Sequence, residues 1–285
     1  MDDTRRRSQM LSIWKRLCRN KLSIIGMIIF LILVLAAIFA KQIAPYDYSA
    51  QDLTNALAMP SAEHWMGTDD FGRDILSRVI YGGRISLLVA LLGIIISLVA
   101  GGLIGVISGY YSGTLDGILM RIMDVIMAIP GFLLAVCVSA ALGSGVLNTA
   151  IAIAIAGIPG YARLMRALVM SIRGNEYVEA ARVCGQSGFR IMIREIVPNT
   201  LSPIIVDTTL RIGAYILMIS SLSFIGLGVQ PPEAEWGSML SAGRQYIRSF
   251  WPIVTFPGLA IMATLFGLNL FGDGLRDALD PRLKK

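Results

Sequence analysis

The chain has 285 residues, 55% of them hydrophobic and only 15% charged, with a net charge of +6 and a mean hydropathy of +0.68. A soluble domain carries roughly 25% charged residues, so the charge needed to cover a water-facing surface is missing and much of the surface must face lipid. One His and three Cys leave little room for a metal cluster or a disulfide framework.

A spanning helix needs about 20 predominantly apolar residues, because only a helix satisfies its own backbone hydrogen bonds in hydrocarbon. After a basic N-terminal tail, residues 1–21, the run 22–40 carries no charge. It is longer than the apolar core of a cleaved signal peptide, roughly 7–15 residues, and reads as a retained helix. A loop follows over 41–84, then a second apolar run, Ile85 to Ile107. Between Val125 and Ala162 no charge occurs in 38 residues, too many for one span. Gly143-Ser144-Gly145 divides that stretch into two helices joined by a tight turn. Ile212 to Pro232 is uncharged, with a helix start near Pro203, and Ser249 to Gly272 supplies the last span. The expectation is an all-α membrane protein with six transmembrane helices. The helical core occupies 85–272, a polar segment at 168–200 interrupts it, and a short tail covers 273–285.

Short loops rich in Lys and Arg stay in the cytoplasm. The N-terminal tail has Arg5, Arg6, Arg7, Lys15, Arg16, Arg19 and Lys21. The segment after the fourth span has Arg163, Arg166, Arg173, Arg182, Arg190 and Arg194, and Arg276, Arg282, Lys284 and Lys285 close the chain. These hold 17 of the 25 basic residues. In the 41–84 loop, Lys41, Arg73, Arg78 and Arg84 are outnumbered by Asp47, Asp52, Glu63, Asp69, Asp70 and Asp74. Both termini are therefore expected to be cytoplasmic. Cys18 and Cys184 then fall on the cytoplasmic side and Cys137 in a span, each read as a small apolar filler.

The chain has no Gly-Lys dipeptide, hence no P-loop for a nucleotide. His64 has no partner with metal or triad spacing and reads as a surface or interface residue. No cofactor is expected on this chain, no catalytic residue, no metal and no nucleic-acid partner; its only solvent partner beyond water is membrane lipid. Arg121 and Asp124 lie three apart, Asp207 and Arg211 four apart, so each set can neutralise itself on one helix face as a structural ion pair. The mid-span regions lack ionisable residues, which speaks against a proton or sodium relay. Gly101, Gly105 and Gly109 recur every four positions, letting two helix backbones approach closely. That approach is expected inside this bundle, a second membrane subunit being the other use.

The segment from Glu176 to Pro198 is the most informative. Good helix formers run through Glu179, Ala180, Ala181 and Arg182; Gly185 and Gly188 break the run. A second amphipathic stretch starts near Phe189, and Pro198 is expected to stop it before the fifth span. This is a helix–turn–helix protruding from the membrane, and so long a connection with helices of its own suggests a binding task.

At these residues the chain resembles the permeases of ABC importers, in the pattern Glu179-Ala180-Ala181, then Gly185, closed by Pro198. The family pattern ends in a hydrophobic residue, any residue, then Leu-Pro; here the sequence is Glu195-Ile196-Val197-Pro198. Three further stretches are similar to the C-type permease of the dipeptide, oligopeptide and nickel importers: Met66–Arg78, Ser223–Gly237 and Gly272–Arg282. The resemblance implies a type I importer permease fold and a coupling role for Glu179, Ala180, Ala181, Gly185, Gly188 and Pro198, seated on an ATPase subunit. It also implies a homologous B-type permease, two ABC ATPases that use ATP and Mg, an extracytoplasmic solute-binding protein and a peptide substrate. The stretches flanking the second and fifth spans, including Glu235-Trp236-Gly237 at the membrane interface, would form either a surface for the delivering protein or a structural rim. The alternative is a stand-alone secondary transporter or channel, with the helix–turn–helix as a regulatory dock.

Overall fold

The computed structural model describes residues 16–18 and 20–279. The basic residues Arg5, Arg6, Arg7, Lys15 and Arg19, and the stretch Asp280 to Lys285, lie outside them. The described residues are helical with no strand, apart from one isolated bridge between Thr68 and Asp74. Five helices are long and apolar enough to cross a membrane, six if a bent pair counts as one crossing.

Helix α1 (Lys21–Ile38) starts at Asn20, whose side chain accepts from the Leu22 and Ser23 amides and so satisfies two donors of the first turn. It lies along the last helix, α9 (Pro252–Leu279), through a seam of small residues. A Cβ on Gly26 would stand 2.6 Å from the Gly267 carbonyl oxygen, and one on Gly274 would strike Ser23. The seam pairs residues some 240 positions apart, which is why reading along one strand of sequence misses it.

Helix α2 runs unbroken from Ile75 to Tyr111, 37 residues, roughly 55 Å at 1.5 Å per residue and well beyond the bilayer core. The expected span, 85–107, is only its middle. The charges at Arg78 and Arg84 do not end it, because Asp74 caps its N-terminus at Ser77 N, 2.7 Å, and Arg78 is buried against Asp69.

Helices α3 (Gly113–Met127) and α4 (Gly131–Leu142) meet at an 84° bend. Pro130 stands at the bend, and its ring and missing N–H forbid continuation. This corrects the expectation of one straight third span. Twelve residues of α4 reach only about 18 Å, so the crossing is completed by the bent pair or not at all. Helix α3 is amphipathic, with Leu115, Ile118, Ile122 and Val125 exposed on one side. The turn to α5 (Val146–Ile172) falls at Gly143 and Gly145, with φ of +85° and +137°, as the Gly-Ser-Gly pattern predicts.

Helices α2 and α5 form the most extensive helix pair. Gly101, Gly105 and Gly109 are buried in it: Cβ atoms there would stand 2.8 Å from Tyr161 Cβ, 2.7 Å from Met165 Cβ and 2.8 Å from Val169 Cβ. The glycine stripe thus packs inside this chain. Since the nearest atoms include backbone carbonyls of α5, the helix cannot yield locally. Gly105→Leu is expected to lower stability by about 1–3 kcal/mol or more through overpacking, read as a lower melting temperature in detergent; an unchanged melt would remove the stripe from the packing account.

Helix α6 (Glu176–Val183) leads through a turn into Gly188–Ile191, a π turn at Met192–Ile196 and α7 (Val197–Phe224). Pro198 therefore does not stop the second amphipathic stretch, which continues into the span. The wider π turn lets the chain pass where the ring would otherwise crowd the preceding turn, and Asn199 Nδ2 donates to the Glu195 carbonyl at 2.6 Å. A short helix α8 (Trp236–Gly243) precedes α9. Inside the bundle, Tyr215 of α7 and Ser97 of α2 share a hydrogen bond of 2.8 Å, and Ser97 Oγ also donates to the Ala154 carbonyl of α5. One satisfied polar cluster so ties three helices together, as interhelical hydrogen bonds do in lipid.

Candidate functional site

At one end of the bundle α6 and its turn project beyond the membrane helices. Val178 and Ala181 are buried in a cluster with Val169 of α5 and Ile191 and Ile196 of the following stretch. That cluster fastens the segment to the ends of α2, α5 and α7. Arg173 adds a hydrogen bond of 3.1 Å to the Gly109 carbonyl and another to Ser112, and a Cβ on Gly188 would lie 3.1 Å from the Tyr110 ring. Arg182 approaches that same ring, 6.0 Å from its centroid. The segment is anchored to the bundle rather than a loose loop.

The residues of the Glu179-Ala180-Ala181 pattern divide by face. Ala181 points inward, whereas Glu179 and Ala180 are exposed. Glu176 and Glu179 stand in the first turn and Arg182 in the last, each where the helix dipole favours its sign. Gly185 has φ +76° and open space around its Cβ position, so conformation and not room demands glycine. Its amide bonds to the Arg182 carbonyl at 3.0 Å and the Gln186 amide to the Ala181 carbonyl at 3.1 Å, the paired bonds of a Schellman cap. Gly188 opens the next helical stretch and Pro198 is exposed at its π turn.

The outward face also carries Val183, 88% exposed, and Phe189, 69% exposed. Neither was singled out from the sequence. The signal was there: two large apolar residues flanking a glycine turn, out of register with the buried Val178–Ala181 face. Such side chains at the tip of a polar segment mark a surface meant to be covered.

The charges expected to pair within α3 do not. Asp124 bonds Arg163 of α5 at 2.5 Å, and Arg121 is exposed with no ion pair among the described residues. A neighbouring helix offers a better approach than the three-residue spacing. Asp116, unremarked in the sequence, takes two bonds of 2.6 Å from Arg166, and together these pairs bind α3 to α5. Asp207 and Arg211 do pair, as the four-residue spacing predicts, and the Arg211 guanidinium lies 4.9 Å over the Tyr161 ring.

At the opposite end, residues 46–74 fold into a cap. Asp69, 4% exposed, accepts from the amides of Phe71 and Arg73 at 2.9 Å each and from Arg73 Nε at 2.6 Å, with Arg78 Nε 3.5 Å away. Arg78 Nη1 donates to the Tyr48 carbonyl at 3.0 Å. Burial, followed by the neighbouring Asp69 charge, holds the Asp70 carboxyl above the usual carboxylate range. His64 is half-buried at the edge of the cap: its Nδ1 lies 2.9 Å from Asp74 Oδ1 and its ring sits tilted against Tyr46, centroids 4.7 Å apart.

Trp236 is buried in the protein rather than presented at its surface. It is 2% exposed, its indole donates to the Val79 carbonyl at 2.9 Å, and it fills the space left by Gly82 and Gly83, where Cβ atoms would stand 2.9 Å from the ring. Glu235, fully buried, caps α8 through the amides of Gly237 and Ser238 and accepts from Ser86 Oγ at 3.1 Å. Cys18, Cys137 and Cys184 are exposed rather than packed as fillers.

Residues 101–285 match the family described as the binding-protein-dependent transport system inner membrane component, and residues 8–60 match the N-terminal TM domain of oligopeptide transport permease C. The chain is 44% identical over 277 residues to the di/tripeptide transport system permease protein DppC of Pseudomonas aeruginosa, covering 95% of this chain and 91% of that one. It is 46% identical to the dipeptide transport system permease protein DppC of Alkalihalophilus pseudofirmus (95% and 89%) and 44% identical to the glutathione transport system permease protein GsiD of Escherichia coli (95% and 90%). In fold it is similar to a chain of the inward-facing MetNI methionine ABC transporter, with a TM-score of 0.58 at 15% identity, over 71% of this chain and 96% of that one.

Proposed function

Because the chain belongs to the family of binding-protein-dependent transport system inner membrane components, a multi-pass permease subunit, we propose that it carries short peptides across the inner membrane as half of an ATP-driven importer. The relatives named above are described as permeases for dipeptides, tripeptides or glutathione, and the substrate class is taken from them. The partners in this reading are a homologous B-type permease, two ABC ATPases that bind ATP and Mg, and a solute-binding protein on the outer side. The chain itself catalyses no reaction. Both termini and α6 face the cytoplasm, with the 46–74 cap outside, in keeping with the distribution of Lys and Arg.

One observation carries the coupling role: Val183 at the end of α6 and Phe189 just past its turn are exposed, while Val178 and Ala181 lock α6 to three membrane helices. A partner that grips the outward side therefore moves the ends of α2, α5 and α7 together. When the ATPases close on ATP, α6 transmits the displacement, and the pathway between the two permeases changes the side to which it opens. Glu179 and Ala180 lie on the gripped face; Gly185 and Gly188 fix the turn, and Pro198 marks where the lever joins the span.

The test is reconstitution of the five-component complex in proteoliposomes. Labelled dipeptide is expected to accumulate only with ATP, Mg and the binding protein present. Uptake by this chain alone, driven by an ion gradient without ATPases, would overturn the reading in favour of a secondary transporter.

A further inference from the structure

Where α7 and α9 approach the cytoplasmic side in the proposed orientation, they enclose a cavity of about 620 Å³ lined by Asn199, Ser202, Asp207 and Arg276 among apolar neighbours. Asp207 is bonded to Arg211, one turn further along, and the two side chains remain 30% and 32% exposed. Arg211 stands 13 residues before Phe224, roughly 20 Å from that end of the helix, so the pair lies within the membrane-spanning part. Charged side chains at such depth belong in a bundle interior or against a water-filled cavity, since lipid makes them costly. This pair is not in the interior. Moreover, Arg211 is held in place from behind, over the Tyr161 ring at 4.9 Å and beside Gly160, where a Cβ would stand 3.0 Å from its Nη1. Tyr161 is itself fixed by a hydrogen bond of 3.2 Å to Thr208.

The lining is two-signed. It offers one carboxylate, Asp207, and one guanidinium, Arg276, with an amide and a hydroxyl beside them, while Arg211 backs Asp207 as its ion-pair partner. A simple anion would meet Asp207 and a simple cation would meet the arginines, whereas a molecule bearing both charges matches the set. Resting on the peptide-importer reading, we propose that this cavity is a subsite for the charged termini of a short peptide near the inner mouth of the pathway. Asp207 receives the α-ammonium, Arg276 receives the α-carboxylate, and Arg211 holds Asp207 in place. Only one Asp207 oxygen is bonded to Arg211, so the other can take the peptide ammonium while Arg211 stays compensated, and passage needs no bare charge in a low-dielectric setting.

The experiment uses the reconstituted complex, labelled dialanine as the probe, and two readouts: uptake, and ATPase activity stimulated by loaded binding protein. Asp207→Asn is expected to lower uptake by about tenfold with stimulated ATPase activity kept within about twofold, as for loss of one charged hydrogen-bond partner. Asp207→Glu is expected to restore most of the uptake. The double variant Asp207→Leu with Arg211→Leu decides between a subsite and a structural pair, because replacing an ion pair by apolar side chains is often neutral for stability. If that variant assembles and melts like the parent but fails to take up dialanine, the subsite stands. If it, or Asp207→Asn, transports within about twofold of the parent, the subsite is overturned. Absence of ATP-dependent uptake by the parent complex would instead sink the importer reading itself.

Discussion

Substitution of Val183 and Phe189 together by Asp is expected to abolish ATP-driven uptake while leaving this chain folded and inserted. Both side chains are exposed, 88% and 69%, so no core contact is lost and the melting temperature should hold. What changes is the exposed surface at the end of α6 and of the turn that follows it. Large apolar side chains at the centre of an interface contribute about 2–4 kcal/mol each when they act as hot spots, and burying a new carboxylate against the partner adds to the loss. At 1.4 kcal/mol per tenfold, even one such residue weakens docking roughly 30- to 700-fold. The measurement is copurification of the ATPases with the tagged permease, alongside uptake. Retained ATPases with normal uptake would remove this face from the coupling surface. The Gly185 turn supplies an independent control: Gly185→Val forces a β-branched residue to φ +76°, straining the cap and misaiming Val183 without changing its chemistry.

The second large effect lies at the other end. Asp69→Ala is expected to destabilise the chain by about 3–5 kcal/mol, because it strands the buried guanidinium groups of Arg73 and Arg78 without their carboxylate. Arg73 and Arg78 are 6% and 3% exposed, so water cannot replace it. Asp69→Asn keeps an acceptor for the Phe71 and Arg73 amides and should lose less, the difference isolating the charge from the hydrogen bonds. Thermal unfolding in detergent measures both. If the two variants melt alike and well below the parent, the backbone bonds of Asp69 contribute little and its ion pairs hold the cap; if Asp69→Asn melts like the parent, the ion pairs contribute little.

Much of this architecture is legible in the residues because lipid imposes length and apolarity on a span, and glycine imposes turns. The five long helices, the Gly143–Gly145 turn, the glycine stripe and the helix–turn–helix all follow from such local demands. What escapes is decided by contacts between distant segments. Asp124 has a partner at the right spacing in Arg121, yet Arg163 of another helix wins it. Trp236 has the preference of an interfacial residue, yet Gly82 and Gly83 open a slot for it about 150 positions away. The bend at Pro130 hides inside an uncharged stretch where composition does not distinguish one crossing from a broken one. Pro198 ends a helix by its local rule, but a π turn carries the chain past it. The cavity beside Asp207 is of the same kind: the four-residue spacing reveals the pair, whereas its exposure and the nearness of Arg276 depend on how α7 meets α9.

Helix α2 is capped by Asp74, inside the cap that His64 and Ser77 close, and carries Tyr110 in its last turn, against which Gly188 and Arg182 rest. It is one uninterrupted rod between the two faces of the membrane. A rod cannot be loaded at one end alone: whatever tilts it at the turn of α6 shifts the cap, and whatever grips the cap biases the turn. If occupancy of one face changes affinity at the other by some factor, thermodynamic reciprocity requires the same factor in return. Delivery of cargo outside and nucleotide occupancy inside would then be two readings of a single equilibrium, sensed by this subunit before any solute has moved.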